Sequence, residues 1–171
     1  MKTLSAFTIA FLFMVTVSHS VLAQQPPQLS CTSEEARQFD FWIGEWIVET
    51  ADGKKAGENH ISRQENGCLL REEWTSAGGG TGQSMNYYDP DEKRWNQVWV
   101  SSNGSIGYFE GGLKDGAMVL EGNWVNPDGS SYPLNGTWTP LEDGRVRQHF
   151  VQSQDGGETW TTWFDGYYRK K

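Results

Sequence analysis

Glu72 is the side chain in this sequence best placed to do chemistry. In Leu69-Leu70-Arg71-Glu72-Glu73-Trp74, alternate residues of an extended chain share a face, which sets Leu70, Glu72 and Trp74 against Leu69, Arg71 and Glu73. The first set is the inward one, so Glu72 is a carboxyl group among apolar neighbours. Burial without a charged partner raises a carboxyl pKa and suits the group to exchange a proton near neutrality. The same alternation groups Trp95, Gln97 and Trp99 on one inward face and Val146, Gln148 and Phe150 on another, with Asn86 as a further inward polar group.

Apolar walls with sparse polar groups are the lining of a small-molecule pocket, and Glu72, Trp74, Asn86, Trp95, Gln97, Trp99 and Gln148 are its candidate residues. The same set also suits a buried hydrogen-bond network that closes an interior without any ligand. Three functions stay open on this basis. The first is a barrel that binds a small apolar or aromatic molecule. The second is a hydrolase or isomerase using Glu72, assisted by Gln97 or Gln148. The third is a structural or interaction module whose aromatics are simply core. Nine tryptophans divide the same way, either presenting planar surfaces to a ligand or filling a small barrel with large rings.

The sequence patterns of other chemistries are missing. His60 and His149 are the only histidines beyond the leader, with no HxH or HExxH pattern, so they read as surface residues and no metal or cofactor is expected. No GxSxG nucleophile turn occurs. Ala77-Gly78-Gly79-Gly80-Thr81-Gly82 reads as a flexible loop, since neither a lysine nor a helix follows to make a phosphate cradle. Ser153-Gln154-Asp155-Gly156-Gly157-Glu158-Thr159-Trp160 resembles the Asp-box of sialidase-type propellers. It occurs once, in a chain too short for a propeller, so Asp155 is expected to cap a turn with Trp160 packed beneath it.

The elements that must position these residues are strands. Residues 1–23 read as a signal peptide, with Lys2, an apolar stretch over 4–17 and the Val21-Leu22-Ala23 cleavage site, which predicts a periplasmic or secreted protein. Residues 24–40 form an arm, in which Thr32 or Ser33 caps a short helix. Residues 41–171 form the barrel domain. Its ten expected strands cover 41–50, 56–64, 68–76, 82–89, 94–101, 105–112, 117–126, 131–139, 145–153 and 159–169. Asn-Gly and Asp-Gly turns punctuate them. Consecutive hairpins with no helix to cover a sheet face predict an antiparallel up-and-down barrel. The formal charge of −8, one unit more acidic without Lys2, argues against nucleic-acid and anionic-membrane partners and leaves a small molecule. Nothing in the sequence sets an oligomeric state. Cys31 and Cys68 are the only cysteines, and export favours a disulfide between them, worth roughly 4 kcal/mol in unfolded-state entropy.

The opening Phe39-Asp40-Phe41-Trp42-Ile43-Gly44-Glu45-Trp46, with Gly67-Cys68, Glu72-x-Trp74, Trp95-x-Gln97-x-Trp99, Val146-Arg147-Gln148 and Ser153-x-Asp155-Gly156-Gly157, resembles an uncharacterised family of exported bacterial proteins with an FDFWIGxW opening. They are described as lipocalin-like or calycin-like. The resemblance implies the barrel and carries over no site residues. A looser similarity runs to lipocalins, which implies that Trp46 packs at the closed end against a late-strand cation, for which Arg169 is the candidate, while Gly44 permits close approach. Nitrobindin-type barrels are also loosely similar, but residues 159–169 contain no haem-ligating His.

Overall fold

The computed structural model describes residues 31–171; the leader, its cleavage site and the first part of the arm lie outside the described residues. Ten strands follow in order: β1 Gly44–Thr50, β2 Lys55–Gln64, β3 Leu69–Ser76, β4 Thr81–Asp89, β5 Arg94–Ser101, β6 Ile106–Lys114, β7 Ala117–Val125, β8 Ser131–Pro140, β9 Val146–Gln152 and β10 Thr161–Lys170. Each pairs antiparallel with the next, and β1 pairs with β10, so the sheet closes into an up-and-down barrel. All ten expected strands are present. The turn chemistry acts as read: Asp115 and Gly116 alone join β6 to β7, both at positive φ (50° and 82°), as a two-residue hairpin of matching twist requires.

The largest departure lies in the aromatic opening. Residues 41–43 are not strand: Asp40–Trp42 forms a 3-10 turn, and β1 begins at Gly44. A strand would send alternate rings to solvent. The 3-10 turn instead brings residues three apart onto one side, and Phe39 and Trp42 stack at 4.9 Å, both fully buried. Upstream, the short helix expected from Thr32 or Ser33 is a single 3-10 turn, Glu35–Arg37, with Ser33 Oγ accepting the Ala36 N–H. The Cys31–Cys68 disulfide ties this arm to the link between β2 and β3.

The arm therefore plugs one end of the barrel. Phe39 also packs edge-on to Trp95 (5.7 Å) and Trp138 (5.4 Å), and Trp42 meets Trp138 and Tyr168. Trp46 donates its indole N–H to Trp42 O at 2.9 Å, and Trp95 donates to Glu35 O at 3.1 Å. The cation beside Trp46 is Lys170 rather than Arg169. In the β1–β10 register Trp46 faces Lys170, so the two share a side, while Arg169 faces Ile47 and turns outward to Glu49. Lys170 Nζ stands 3.8 Å from the Trp46 ring centroid and donates to Ile43 O at 2.6 Å. Gly44, at φ 145°, leaves the space for it, because a Cβ there would collide with the ammonium.

Outward positions carry charges on strand after strand, including Glu45, Glu58, Arg71, Glu110 and Glu121. Among the described residues no helix is long and apolar enough to cross a membrane.

Candidate functional site

At the end away from the plug the barrel keeps a cavity of about 110 Å³. Its walls are Glu72, Trp74, Gln97, Trp99, Phe109, Trp124, Leu134, Gln148, Phe150, Trp163, Phe164 and Tyr168. Inward glycines shape it. Gly57 on β2 and Gly82 on β4 lie under the rings of Trp74 and Trp99, and a Cβ at either would collide with the ring. Gly136 and Gly166 hold Phe150 and Phe164 in the same way, with ring carbons 2.6 Å from where a Cβ would stand. Rings lying flat over glycines line the wall without filling the lumen.

The floor is polar. Glu72 accepts hydrogen bonds from Asn59 Nδ2 (2.7 Å) and Ser84 Oγ (2.6 Å). On one side Ser84 Oγ accepts from Asn86 Nδ2 at 2.8 Å, and Asn86 Oδ1 accepts from Gln97 Nε2 at 2.6 Å. On the other, Asn59 Nδ2 also reaches Tyr168 OH (3.1 Å), which donates to Gln148 Oε1 at 2.6 Å. The direction of the chain is fixed by groups that can only accept. Leu70 O takes Asn86 Nδ2 at 3.0 Å, which turns Asn86 Oδ1, and hence Gln97 Nε2, toward each other. Since Tyr168 spends its proton on Gln148 Oε1, Gln148 Nε2 faces away. Gln97 Oε1 and Gln148 Nε2 are thus left without a hydrogen-bond partner among the described residues, and the buried indole N–H of Trp99 has none either.

Glu72 is buried with no Lys, Arg or His on the cavity wall. Burial raises its pKa to about 7, against the smaller opposing effect of the bonds from Ser84 and Asn59. Tyr168 is pushed well above the ordinary phenol range by burial and then by the nearby Glu72 charge, so it stays a donor. The arrangement offers, at one spot, a carboxyl group close to half-ionised at neutral pH, a free amide oxygen, a free amide N–H and ring faces.

Of the residues named from sequence, Glu72, Trp74, Gln97, Trp99 and Gln148 meet around this cavity. Asn86 lies behind the wall, fully buried, as the link between Gln97 and Ser84. Trp95 points inward but packs in the plug, because the barrel is long enough for Trp95 and Trp99 to sit at opposite ends of one strand. Sequence reasoning missed Asn59, Ser84 and Tyr168, and most of the aromatic wall. For Asn59 a signal existed, since Gly57, Asn59 and Ile61 alternate with charged and polar neighbours.

Asp155 holds its turn as expected. It accepts from Ser153 Oγ (2.6 Å), Thr159 N (2.9 Å) and Thr159 Oγ1 (2.5 Å), bonds that keep its carboxyl well below the usual carboxylate range. Trp160 does not pack beneath it; the ring is exposed and donates to Gly157 O. Holding Thr159 in the turn also delays β10 to Thr161. Thr81, read as loop, is the first residue of β4. His60 and His149 are on the surface, near Glu73 and Thr162, and no group of three or more potential metal ligands occurs among the described residues. No protein-family model matches the chain, and a search of curated proteins finds no match.

Proposed function

We propose that this is an exported carrier or sensor barrel that binds a small, mostly apolar molecule bearing one polar group, with the apolar part between the mouth rings and the polar group on the Glu72 floor. The observation that carries this reading is the lumen itself: about 110 Å³ walled by aromatics, with Gln97 Oε1 and Gln148 Nε2 unpartnered at its base. Both amides line the open lumen, where the polar group of a ligand would supply their partners. An apolar cavity of about 150 Å³ takes benzene, so the occupant is one ring or its equivalent, or the head of a longer molecule trailing past Trp163. Native mass spectrometry of protein purified from its own host is expected to show a bound small molecule. Tryptophan fluorescence is expected to be quenched by members of a single-ring library. No adduct and no quenching would remove this reading.

Glu72 favours a second reading, an isomerase-type proton transfer, because a carboxyl with a pKa of about 7 facing a cavity is suited to abstract and return a proton. Small ketones and enones incubated with the protein in D₂O would then gain deuterium beside the carbonyl, and the Glu72→Gln protein would not catalyse it. Background exchange only would dismiss the enzyme.

A further inference from the structure

We propose that the polar group of the occupant is a protonated amine, making the ligand a small organic ammonium ion seated on Glu72 and walled by the mouth tryptophans. This rests on the ligand-binding reading above and narrows it to a chemical class.

Charge is the first argument. The cavity contains one ionisable acid and no basic side chain: Tyr168 is the only other titratable group on its wall. An ionised carboxylate in such a place is costly without a counter-charge, and the protein supplies hydrogen bonds to it but no cation. An ammonium ion is the missing partner. Each carboxylate oxygen has lone pairs beyond the single bond it receives, and Gln97 Oε1 offers another acceptor, so two or three N–H donors find sites together.

The rings are the second argument. Trp74, Trp99, Trp124 and Trp163 stand around the lumen with Phe150 and Phe164. Aromatic faces carry the negative side of the ring quadrupole and attract cations, more strongly where water is excluded. A neutral ligand would use these walls only as hydrophobic surface. A carboxylate ligand would face Glu72 and the ring faces unfavourably. The formal charge of −8 adds an outer field that draws cations toward the barrel.

The pH behaviour follows from the groups facing Glu72. Asn59 from β2 and Ser84 from β4 are neutral, and Tyr168 from β10 remains protonated. Glu72 is therefore the group that titrates near neutrality, and seating a cation beside it favours its ionised form. Below about pH 7, binding expels a proton from Glu72; above it, binding expels none.

The test compares amines with neutral isosteres: benzylamine with benzyl alcohol, and n-butylamine with n-butanol, titrated against the full mature protein by tryptophan quenching and calorimetry. Each amine is expected to bind at least tenfold tighter than its alcohol at pH 8. Its affinity is expected to fall toward pH 5.5, with uptake of protons by the buffer at pH 6 seen in two buffers of different ionisation enthalpy. Glu72→Gln is expected to abolish the preference of each amine over its alcohol. Equal binding of amine and alcohol, or amine binding without proton release at pH 6, overturns the ammonium assignment and leaves the binding barrel standing. No binding by any of the four, together with an empty native protein, overturns both. The wild-type isostere ratio and proton release decide the matter even if Glu72→Gln does not fold.

Discussion

Trp42 and Trp163 lie at the two ends of one line of touching rings, Trp42–Trp138–Phe150–Trp163, with centroid separations of 5.6, 5.2 and 5.8 Å. At the plug end the line runs into Phe39 and Tyr168, and Trp42 is fully buried; at the mouth it stops at a ring that is 43% exposed and faces a lumen. The plug is packed by a segment outside the barrel, fastened by a disulfide. The mouth is packed by nothing comparable. Trp74, Trp99, Phe150 and Phe164 there lie over glycines and leave room. The same residue type closes one end and lines the other, and the difference is whether a second layer of chain fills the space between rings.

The comparison predicts a large effect at the plug. Trp42→Ala is expected to cost roughly 3–5 kcal/mol by urea denaturation, because it removes a buried ring and leaves a hole among Phe39, Trp138 and Tyr168. A loss below about 1 kcal/mol would mean that the arm does not seal the barrel in solution.

Next in size is the polar floor, where Glu72 couples stability to pH. Its folded pKa of about 7 lies above the ordinary 4.5, so the folded state holds the proton more tightly. The stability this gives is fully present below about pH 4.5 and is lost as pH rises through about 7, a fall on the order of 3 kcal/mol. Glu58, held down to about 2 by Lys171 and Lys55, acts in a separate window at lower pH. Denaturation midpoints measured from pH 4.5 to 8 are expected to fall in the wild type and to stay nearly level in Glu72→Gln. Parallel curves would show that Glu72 is solvated rather than sealed.

Glycine substitutions sharpen the contrast within the mouth. Gly82→Ala forces the Trp99 ring off its ledge and into the lumen, with an expected cost of about 1–3 kcal/mol and loss of small-molecule binding. Gly78→Ala in the adjoining turn meets only Ser76 Oγ at 3.5 Å and is expected to stay within about 0.5 kcal/mol. Similar effects at the two sites would contradict the ledge arrangement.

The barrel was legible in the sequence because its signals are local: Asp-Gly and Asn-Gly turns, and alternation over a few residues. Glu72, Gln97 and Gln148 were legible for the same reason. What escaped is non-local. Phe39-Asp40-Phe41-Trp42 has strand composition, and only the need to bury Phe39 and Trp42 on one side makes it a 3-10 turn. Trp95 and Trp99 share a face, yet nothing in their spacing says that the arm occupies one end of that face. Arg169 and Lys170 differ by one residue, and the β1–β10 register alone decides which reaches Trp46. The glycines at 57, 82, 136 and 166 are spread over four strands and meet their rings only when the barrel closes.

A small expected stability change at the mouth tests the comparison most directly. Trp163 touches Trp124 at 5.4 Å and Phe150 at 5.8 Å, but much of its surface already faces solvent. Removing it forfeits little burial, so Trp163→Ala is expected to cost about 1 kcal/mol or less. Binding should respond more than folding does, because the ring forms part of the wall over the lumen. A ligand that quenches the wild type should dissociate several-fold faster from Trp163→Ala in stopped-flow displacement, while the denaturation midpoint falls only slightly. If the midpoint fell as far as in Trp42→Ala while binding kinetics held, the mouth would be a second plug, and the distinction between the two ends would fail.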